Sequence, residues 1–239
     1  MARPADPTAR SSLVAAARRE FVKSGIQRAR IEDITAACGL SKGAFYLHFE
    51  SKEALFRELV QSVEAAVDGL RRAREQAYAK LVEDGFPRGK KALAFVAALG
   101  DIDRREDLRL LQLLWDWRDV TRVLLDGCQG TEFEGVMWTI LDREAGRVAE
   151  EIDALKKARF IRPDVDGELV GFMIVGTYML VARKFATLTE KPDFERLVRL
   201  LQGLISEGTA SDALREATKA LLSTPSAAPT RRPSPPRRR

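Results

Sequence analysis

The sequence contains one histidine and two cysteines among its 239 residues, and this scarcity limits the chemistry that the chain can carry. Cys38 and Cys128 are widely separated, and neither has a second cysteine or a histidine at the spacing of a metal site. A catalytic triad would have to use His48, which lies between two apolar residues in a short helical pattern. Because no glycine-rich phosphate loop is present either, we expect no enzyme, no metal site and no cofactor.

Membrane-spanning and secretion signals are also missing. The apolar stretch from Leu169 to Ala182 has 14 residues, whereas a helix needs roughly 18 to 20 to cross a bilayer. The N-terminal segment lacks the apolar region of a signal peptide. We therefore expect a cytoplasmic protein without a membrane partner.

Positive charge is concentrated at the two ends of the chain. The formal net charge is +5, and five arginines follow Thr230, so the rest of the chain is neutral overall. From Met1 to Lys52, nine lysines or arginines stand against five acidic residues, which is the local excess that a nucleic-acid-binding segment needs. The proline- and arginine-rich tail, residues 223–239, is predicted to be disordered. Its arginines either attract phosphates nonspecifically or form a solvated end without function.

Hydrophobic periodicity predicts two short helices between residues 28 and 52. Ile31, Ile34 and Cys38 recur at helical spacing and form one apolar stripe, on which Cys38 is expected to be a small buried residue. Gly39 follows and can end the helix in the left-handed conformation. Ser41 is a suitable N-cap for a second helix.

The second helix carries apolar bulk among polar residues. Its apolar residues are Ala44, Phe45, Leu47 and Phe49. Two helices joined by a three-residue turn that contains glycine match the helix-turn-helix unit, whose second helix enters the major groove of DNA.

The run GLSKGAFYLHFESKEALF, preceded by ITAACG, resembles the N-terminal domain of tetracycline-repressor-like (TetR family) regulators. The resemblance covers Thr8 to Val60, about a quarter of the chain. Two residues depart from the family pattern. Ala29 stands where the family commonly has a capping threonine, and Thr35 stands where it commonly has a small alanine. Because alanine cannot accept the capping hydrogen bonds, the cap must come from elsewhere or be lost.

The start of the second helix is the expected DNA-contacting surface, because side chains that reach base edges and phosphates must be exposed there. It offers Ser41, Lys42, Gly43 and Ala44. Lys42 is the leading candidate for a base or phosphate contact, and Gly43 lets the backbone come close to the groove.

The resemblance adds further DNA contacts outside that segment. Tyr46 and His48 look like the family's positions for phosphate and groove-edge contacts, although a core position remains the alternative for Tyr46. Lys52 is similar to the lysine that clamps a phosphate at the start of the next helix. Arg30 and Thr35 are expected to hydrogen-bond to the DNA backbone.

Helical patterns continue through the rest of the chain, and no segment has the pattern of a strand. A long helix begins at Ser51, with Gly69 as the expected internal break, and Gly85 and Pro87 end it. In the TetR family this helix couples ligand binding to the spacing of the recognition helices. Later predictions are a loop at 126–131, a helix at 134–159 and a short helix at 214–222.

Two apolar helical segments, residues 169–182 and 194–205, resemble the pair through which family members dimerise as a four-helix bundle. The expected interface residues are Phe172, Val175, Met179, Leu197, Leu201 and Leu204. The alternative is that both helices belong to the core of a monomer. Gly167 and Gly171 would allow close approach of another helix.

Large polarisable side chains in the middle of the second domain indicate where a small apolar or aromatic ligand would bind. The candidates are Trp115, Phe133, Trp138, Phe172 and Met173. Ordinary core packing is the alternative for each of them.

The sequence therefore predicts an all-α protein with a three-helix DNA-binding head at 1–52, a larger helical ligand-binding and dimerisation domain at 53–222, and the tail at 223–239. The predicted function is that of a homodimeric repressor, released from a palindromic double-stranded DNA operator by a small-molecule effector. An all-helical interaction module or enzyme that uses the head for docking is the alternative.

Overall fold

The computed structural model describes residues 7–83, 85–87, 90–212 and 215. Over these residues the protein is all-helical, as predicted, and its single β-bridge joins Ile161 to Ala210. The helices are α1 (Pro7–Arg28), α2 (Ile31–Ala36), α3 (Lys42–Tyr46), α4 (Lys52–Leu81), α5 (Lys90–Asp116), α6 (Arg118–Asp126), α7 (Val136–Lys157), α8 (Gly167–Phe185) and α9 (Phe194–Thr209). The tail at 223–239 and nearly all of the predicted helix at 214–222 lie outside the described residues. Among the described helices, none is long and apolar enough to cross a membrane.

Helices α1 to α3 form the head. Gly39 ends the turn after α2 with φ 67°, the left-handed conformation that its position predicts. Within α1 the backbone leaves helical angles at Gly25 (φ 71°, ψ 165°), and one further turn continues to Arg28.

The core of the head continues into the rest of the protein. The Phe56 ring of α4 meets the Phe21 ring of α1 edge-on at 5.4 Å between centroids, and it meets Phe133, ahead of α7, at 4.9 Å. Val120 and Val123 of α6 are buried in the same cluster. Lys52 therefore marks the start of α4 and not a break in packing between two domains.

Helix α1 is also joined directly to α6. The Arg18 Nε atom donates to Asp119 Oδ2 at 2.6 Å, and the Ile26 amide donates to the Gly127 carbonyl at 3.1 Å. A Cβ atom added at Gly25 would lie 3.2 Å from that same carbonyl oxygen. The head and the second domain thus meet here backbone to backbone.

Helix α4 runs for 30 residues without interruption. The break expected at Gly69 is absent, because one glycine inside a helix costs only about 1 kcal/mol, which tertiary packing outweighs. Its first turns are anchored in the head core by Leu55, Phe56, Leu59 and Val60. As predicted, the chain after it turns at Gly85, which has φ 81°.

The far end of α4 is held by a partly buried polar cluster. Arg74 donates to Asp103 at 2.8 Å and to Asp107 at 3.2 Å, both on α5. The Tyr78 hydroxyl donates to Asp103, and the Gln202 amide of α9 donates to Asp107 at 2.8 Å. Burial raises the pKa of Asp107 although Arg74 acts against it. Burial opposes the charge of Arg74, but the surrounding acidic groups outweigh it and raise its pKa, so it remains a cation.

The remaining helices largely follow the sequence pattern. Helix α6 ends at Asp126, where the predicted loop begins, and α7 fills most of the predicted helix at 134–159. Leu111 of α5 packs with Tyr178 of α8 and Val198 of α9 in a second core cluster.

Helices α7 and α8 pack unusually closely at two glycines. A Cβ atom at Gly171 would stand 2.4 Å from the Ala145 carbonyl oxygen, and one at Gly167 would stand 3.0 Å from the Ala149 carbonyl oxygen. The close helix approach expected of these glycines therefore occurs within the chain, against α7.

Replacing Gly171 by alanine is expected to lower the free energy of unfolding by about 1 to 3 kcal/mol, because the α7 backbone must move away from the added methyl group. Gly69→Ala is the matched control, since an added Cβ there meets no atom within 4 Å. It is expected to stabilise the protein by up to about 1 kcal/mol. Urea unfolding at one protein concentration, followed by circular dichroism, measures both. Equal stabilities would contradict the close packing of α7 on α8.

Candidate DNA-binding site

The α2–turn–α3 unit is fixed by backbone hydrogen bonds and by two buried rings. The Leu40 amide donates to the Thr35 carbonyl at 2.9 Å, which closes the turn. The Ser41 hydroxyl accepts from the Ala44 amide at 3.1 Å and caps α3, as its position predicts. Phe45 and Phe49 are buried beneath α3, so the opposite side of this short helix faces outward.

The outward side of α3 carries most of the predicted contact residues. Ser41, Lys42 and Gly43 are exposed, and Ala44 and His48 are half-buried. Tyr46 is 51% exposed, so the alternative of a core position does not hold. Its ring meets the edge of Phe45 at 5.6 Å between centroids, which steadies it on the surface.

Leu47, one of the apolar residues of the predicted second helix, does not lie on the buried side of α3. Its side chain is 69% exposed. The two buried rings are four residues apart, which is one helical turn, and Leu47 lies midway between them in sequence. A helix places such a residue on the opposite side from its two neighbours, so the spacing of Phe45 and Phe49 was the signal that could have revealed it.

No contact among the described residues requires a glycine at position 43. An added Cβ would meet only the Ser41 hydroxyl, at 3.7 Å, and the residue is helical. Glycine inside a helix is disfavoured relative to alanine by roughly 0.5 to 1 kcal/mol. The residue leaves room for another molecule to come close to the α3 backbone.

Lys42 is held in place by an acidic neighbour. Its Nζ atom lies 2.8 Å from Glu32 Oε1, and both side chains are about half exposed. The hydrogen bond and charge of Glu32 raise the pKa of Lys42, and the same contact lowers the pKa of Glu32. An exposed ion pair of this kind is weak, so a phosphate group can replace the carboxylate as the partner of the lysine.

Helix α2 begins without a side-chain cap, but its N-cap residue is Arg30 and not Ala29, the position at which the cap was expected. Ala29 is buried, and the N-cap residue is Arg30, whose side chain makes no capping hydrogen bond. Arg30 is exposed beside Lys42 and Glu32, so it is free to reach a phosphate.

Thr35 does not have the geometry of a DNA contact. It is 4% exposed, and its hydroxyl donates to the carbonyls of Ile31 at 3.0 Å and Glu32 at 3.1 Å within its own helix. A threonine hydroxyl commonly bonds back to the preceding turn, and here the side chain also packs under the head. The predicted hydrogen bond from Thr35 to DNA is therefore corrected.

Lys52 also has an internal role that the sequence did not suggest. Its Nζ atom donates to the carbonyls of Gln27 at 2.9 Å and Ala29 at 2.8 Å. These carbonyls lie at the end of α1, so the first residue of α4 ties α4 to that end. In this structure the lysine is occupied as a cap and does not stand free as a phosphate clamp.

The five residues proposed to bind a ligand do not line one cavity. Phe133 belongs to the head core, and Trp115 packs on Phe185 at 5.6 Å between centroids. Trp138, Phe172 and Met173 are exposed on the surface. The pattern of large side chains gave no information about helix faces, so it grouped residues that point in different directions.

Two open clefts lie instead where α1 meets α6, and none of the five residues lines them. Their volumes are about 340 and 260 Å³, and Val22 and Arg122 border both. They are polar surface clefts at the junction of head and second domain.

The residues predicted to form the dimer interface are divided between surface and interior. Phe172 and Leu204 are exposed, whereas Met179 packs against the head core and Leu197 and Leu201 pack on the cluster of α5, α8 and α9. Val175 is half-buried.

The fold and this outward surface define a helix-turn-helix protein with a larger helical second domain. Residues 13–59 match the model of the family described as "Bacterial regulatory proteins, tetR family". The uncharacterised HTH-type transcriptional regulator YerO of Bacillus subtilis is 60% identical over 37 residues, which are 16% of this chain and 13% of that protein. The chain spans less than a third of the length of the first curated relatives that it matches.

Solved structures match over most of the chain. A TetR-like transcriptional regulator from Rhodococcus sp. RHA1 has a TM-score of 0.58 and 20% identity, covering 86% of this chain and 98% of the other. The SmeT–triclosan complex has a TM-score of 0.53 and 18% identity, covering 87% and 94%. Residues 13–59 therefore carry the TetR-family DNA-binding domain, as predicted, and the chain as a whole has the fold of solved TetR-like regulators.

Replacing Lys52 by alanine is expected to lower the free energy of unfolding by about 1.5 to 3 kcal/mol, because two carbonyls at the end of α1 lose a charged donor. Lys42→Ala is the control, since its ion pair with Glu32 is exposed to solvent and contributes little to the stability of the fold. Thermal and urea unfolding compare the two variants. If both are equally stable, the capping role of Lys52 is wrong.

Proposed function

We propose that the protein is a homodimeric transcriptional repressor that binds a palindromic operator through α3. The observation that carries the proposal is the outward side of α3, where Lys42, Gly43 and Tyr46 are exposed above two buried rings. A helix held in this way presents a rigid surface of the width that the major groove admits. Arg30, at the start of α2, adds a cation beside that surface.

The second copy is proposed to bind at α8 and α9. Large apolar side chains on these helices are exposed: Leu169, Phe172, Met173 and Leu180 on α8, and Leu200 and Leu204 on α9. Those on α8 recur at helical spacing and form one stripe. A contiguous apolar stripe of this kind on a single chain is typical of an interaction surface, and a symmetric dimer would bury it against its own copy.

A route for control runs along α4 from this interface to the head. The cluster around Arg74 joins α4 to α5, and Gln202 joins the same cluster to α9. Tyr178 of α8 lies beside Asp107, and burial together with that carboxylate raises the pKa of the tyrosine. Rearrangement of the cluster would therefore shift α4, whose first turns are part of the head core.

The effector is proposed to be a small apolar or aromatic molecule bound in the second domain. The fold likeness to SmeT in complex with triclosan, a small aromatic compound, supports this class of ligand. Since the five side chains selected from the sequence are dispersed, the site would be built from other residues or would open on binding.

Selection from a random DNA pool is expected to yield an inverted repeat whose half-site centres lie about 34 to 36 Å apart, or a multiple of that distance. Recovery of no preferred sequence would contradict the proposal and favour a docking role for the head.

Lys42→Ala is expected to weaken binding to the selected sequence and to reduce the slope of log affinity against log salt by about one, because one phosphate contact is lost. Lys80→Ala is the matched control, since Lys80 is exposed in the last turn of α4, away from the head. Fluorescence anisotropy at several salt concentrations measures both slopes. An unchanged slope for the Lys42 variant would show that Lys42 makes no phosphate contact.

Leu204→Glu is expected to convert the dimer into a monomer, because it places one negative charge per chain on an apolar face that the dimer would bury, where a charge is costly and the two charges repel each other. Leu204 is 72% exposed, so the substitution leaves the folded chain intact. Leu47→Glu, on the head, is the control and should remain dimeric. Light scattering after size exclusion gives the masses, and a dimeric Leu204 variant would place the interface elsewhere.

A further inference from the structure

Leu47 has no partner among the described residues that would account for a leucine at this position. It directly follows α3 as its C-cap residue and is 69% exposed. Its amide donates to the Gly43 carbonyl at 3.3 Å, so the two residues lie one turn apart on the same side of the helix. Because Gly43 has no side chain, nothing covers the leucine from the preceding turn.

The neighbours of Leu47 make this side of α3 chemically mixed. Lys42 and Tyr46 are polar at their ends and suit phosphates and groove edges, and Lys42 is turned toward Glu32. Leu47 is apolar and cannot hydrogen-bond to a base. A leucine facing water gains little burial free energy from folding, whereas contact with an apolar group of a bound molecule would bury it.

The major groove offers one apolar group on a base edge, the C5-methyl group of thymine. The other base-edge groups there are hydrogen-bond donors and acceptors, and covering any of them with leucine would leave it unpaired. The sugar–phosphate backbone likewise gives an apolar side chain no specific partner.

We propose that Leu47 contacts a thymine methyl group, so that each half-site prefers thymine at one fixed position. This inference rests on the proposed function, because it concerns the sequence preference of the same surface. It assigns the apolar part of the recognition to a residue that lies opposite the buried rings, and it leaves phosphate contacts to Lys42 and its neighbours.

The test uses the full-length protein and the sequence recovered by selection. Each thymine of a half-site is replaced in turn by deoxyuridine, which removes the methyl group and keeps the hydrogen-bonding edge. At one thymine the affinity of the unaltered protein is expected to fall about fourfold per half-site, the factor that corresponds to about 0.8 kcal/mol for one buried methyl group.

Leu47→Ala is expected to bind the thymine and deoxyuridine operators with equal affinity at that position. Leu47→Met retains an apolar side chain of similar size and is expected to keep the preference for thymine. Because the comparison is between two operators for each protein, effects of deoxyuridine on the DNA itself cancel between variants. Unfolding curves of both variants should match that of the unaltered protein, since the leucine is exposed.

The outcomes separate this inference from the function on which it rests. If selection recovers no motif, the proposed function fails first. If a motif is recovered but deoxyuridine is tolerated at every position, or if Leu47→Ala keeps the full preference for thymine, Leu47 does not read a methyl group. A loss of preference in the alanine variant alone, with the methionine variant unaffected, is the result that supports it.

Discussion

The contact of Phe56 with the rings of Phe21 and Phe133 is the interaction on which the rest of the structure depends. Helices α1 to α3 span residues 7–46, which are too few to bury a stable core alone. Phe56 supplies that core from α4, and Phe133 supplies it from the segment before α7. The head is therefore stable only as part of the whole chain, and its orientation is defined by the helices that complete its core.

The opposite end of α4 is held by hydrogen bonds and ion pairs and not by apolar packing. Around Arg74 one cation serves Asp103 and Asp107, and burial raises the pKa of Asp107. Directional contacts in a buried site have few equally good arrangements, so such a cluster favours discrete positions of the helix over gradual ones. In the proposed repressor this gives α4 an apolar anchor at the head and a polar anchor on α5, to which Gln202 of α9 is also bonded.

The sequence was sufficient for the elements whose signals are local. The left-handed Gly39, the Ser41 cap and the turn between α2 and α3 follow from residue types at fixed spacing. It was insufficient where an outcome depended on contacts between distant segments. Lys52 caps carbonyls that come close only when α1 and α4 pack, and Gly171 approaches α7, where the sequence left its partner open.

The side of a helix that is buried could be predicted from the sequence only in part. The exposure of Leu47 follows from the spacing of Phe45 and Phe49, whereas its apolar character alone does not show whether it is buried or exposed. The dispersed set that includes Trp138 and Phe133 shows the same difficulty on a larger scale. Composition identifies large side chains, whereas their directions follow from the packing of whole helices.

The backbone contact between Gly25 and Gly127 affects how precisely the head is oriented on the second domain. The Ile26 amide bonds directly to the Gly127 carbonyl, and Gly25 passes beside the same oxygen. Side chains at a joint can change rotamer and so offer several nearly equal angles, whereas two bare backbones in contact offer one. The angle between the head and the second domain is thus insensitive to thermal rearrangement of side chains at this contact.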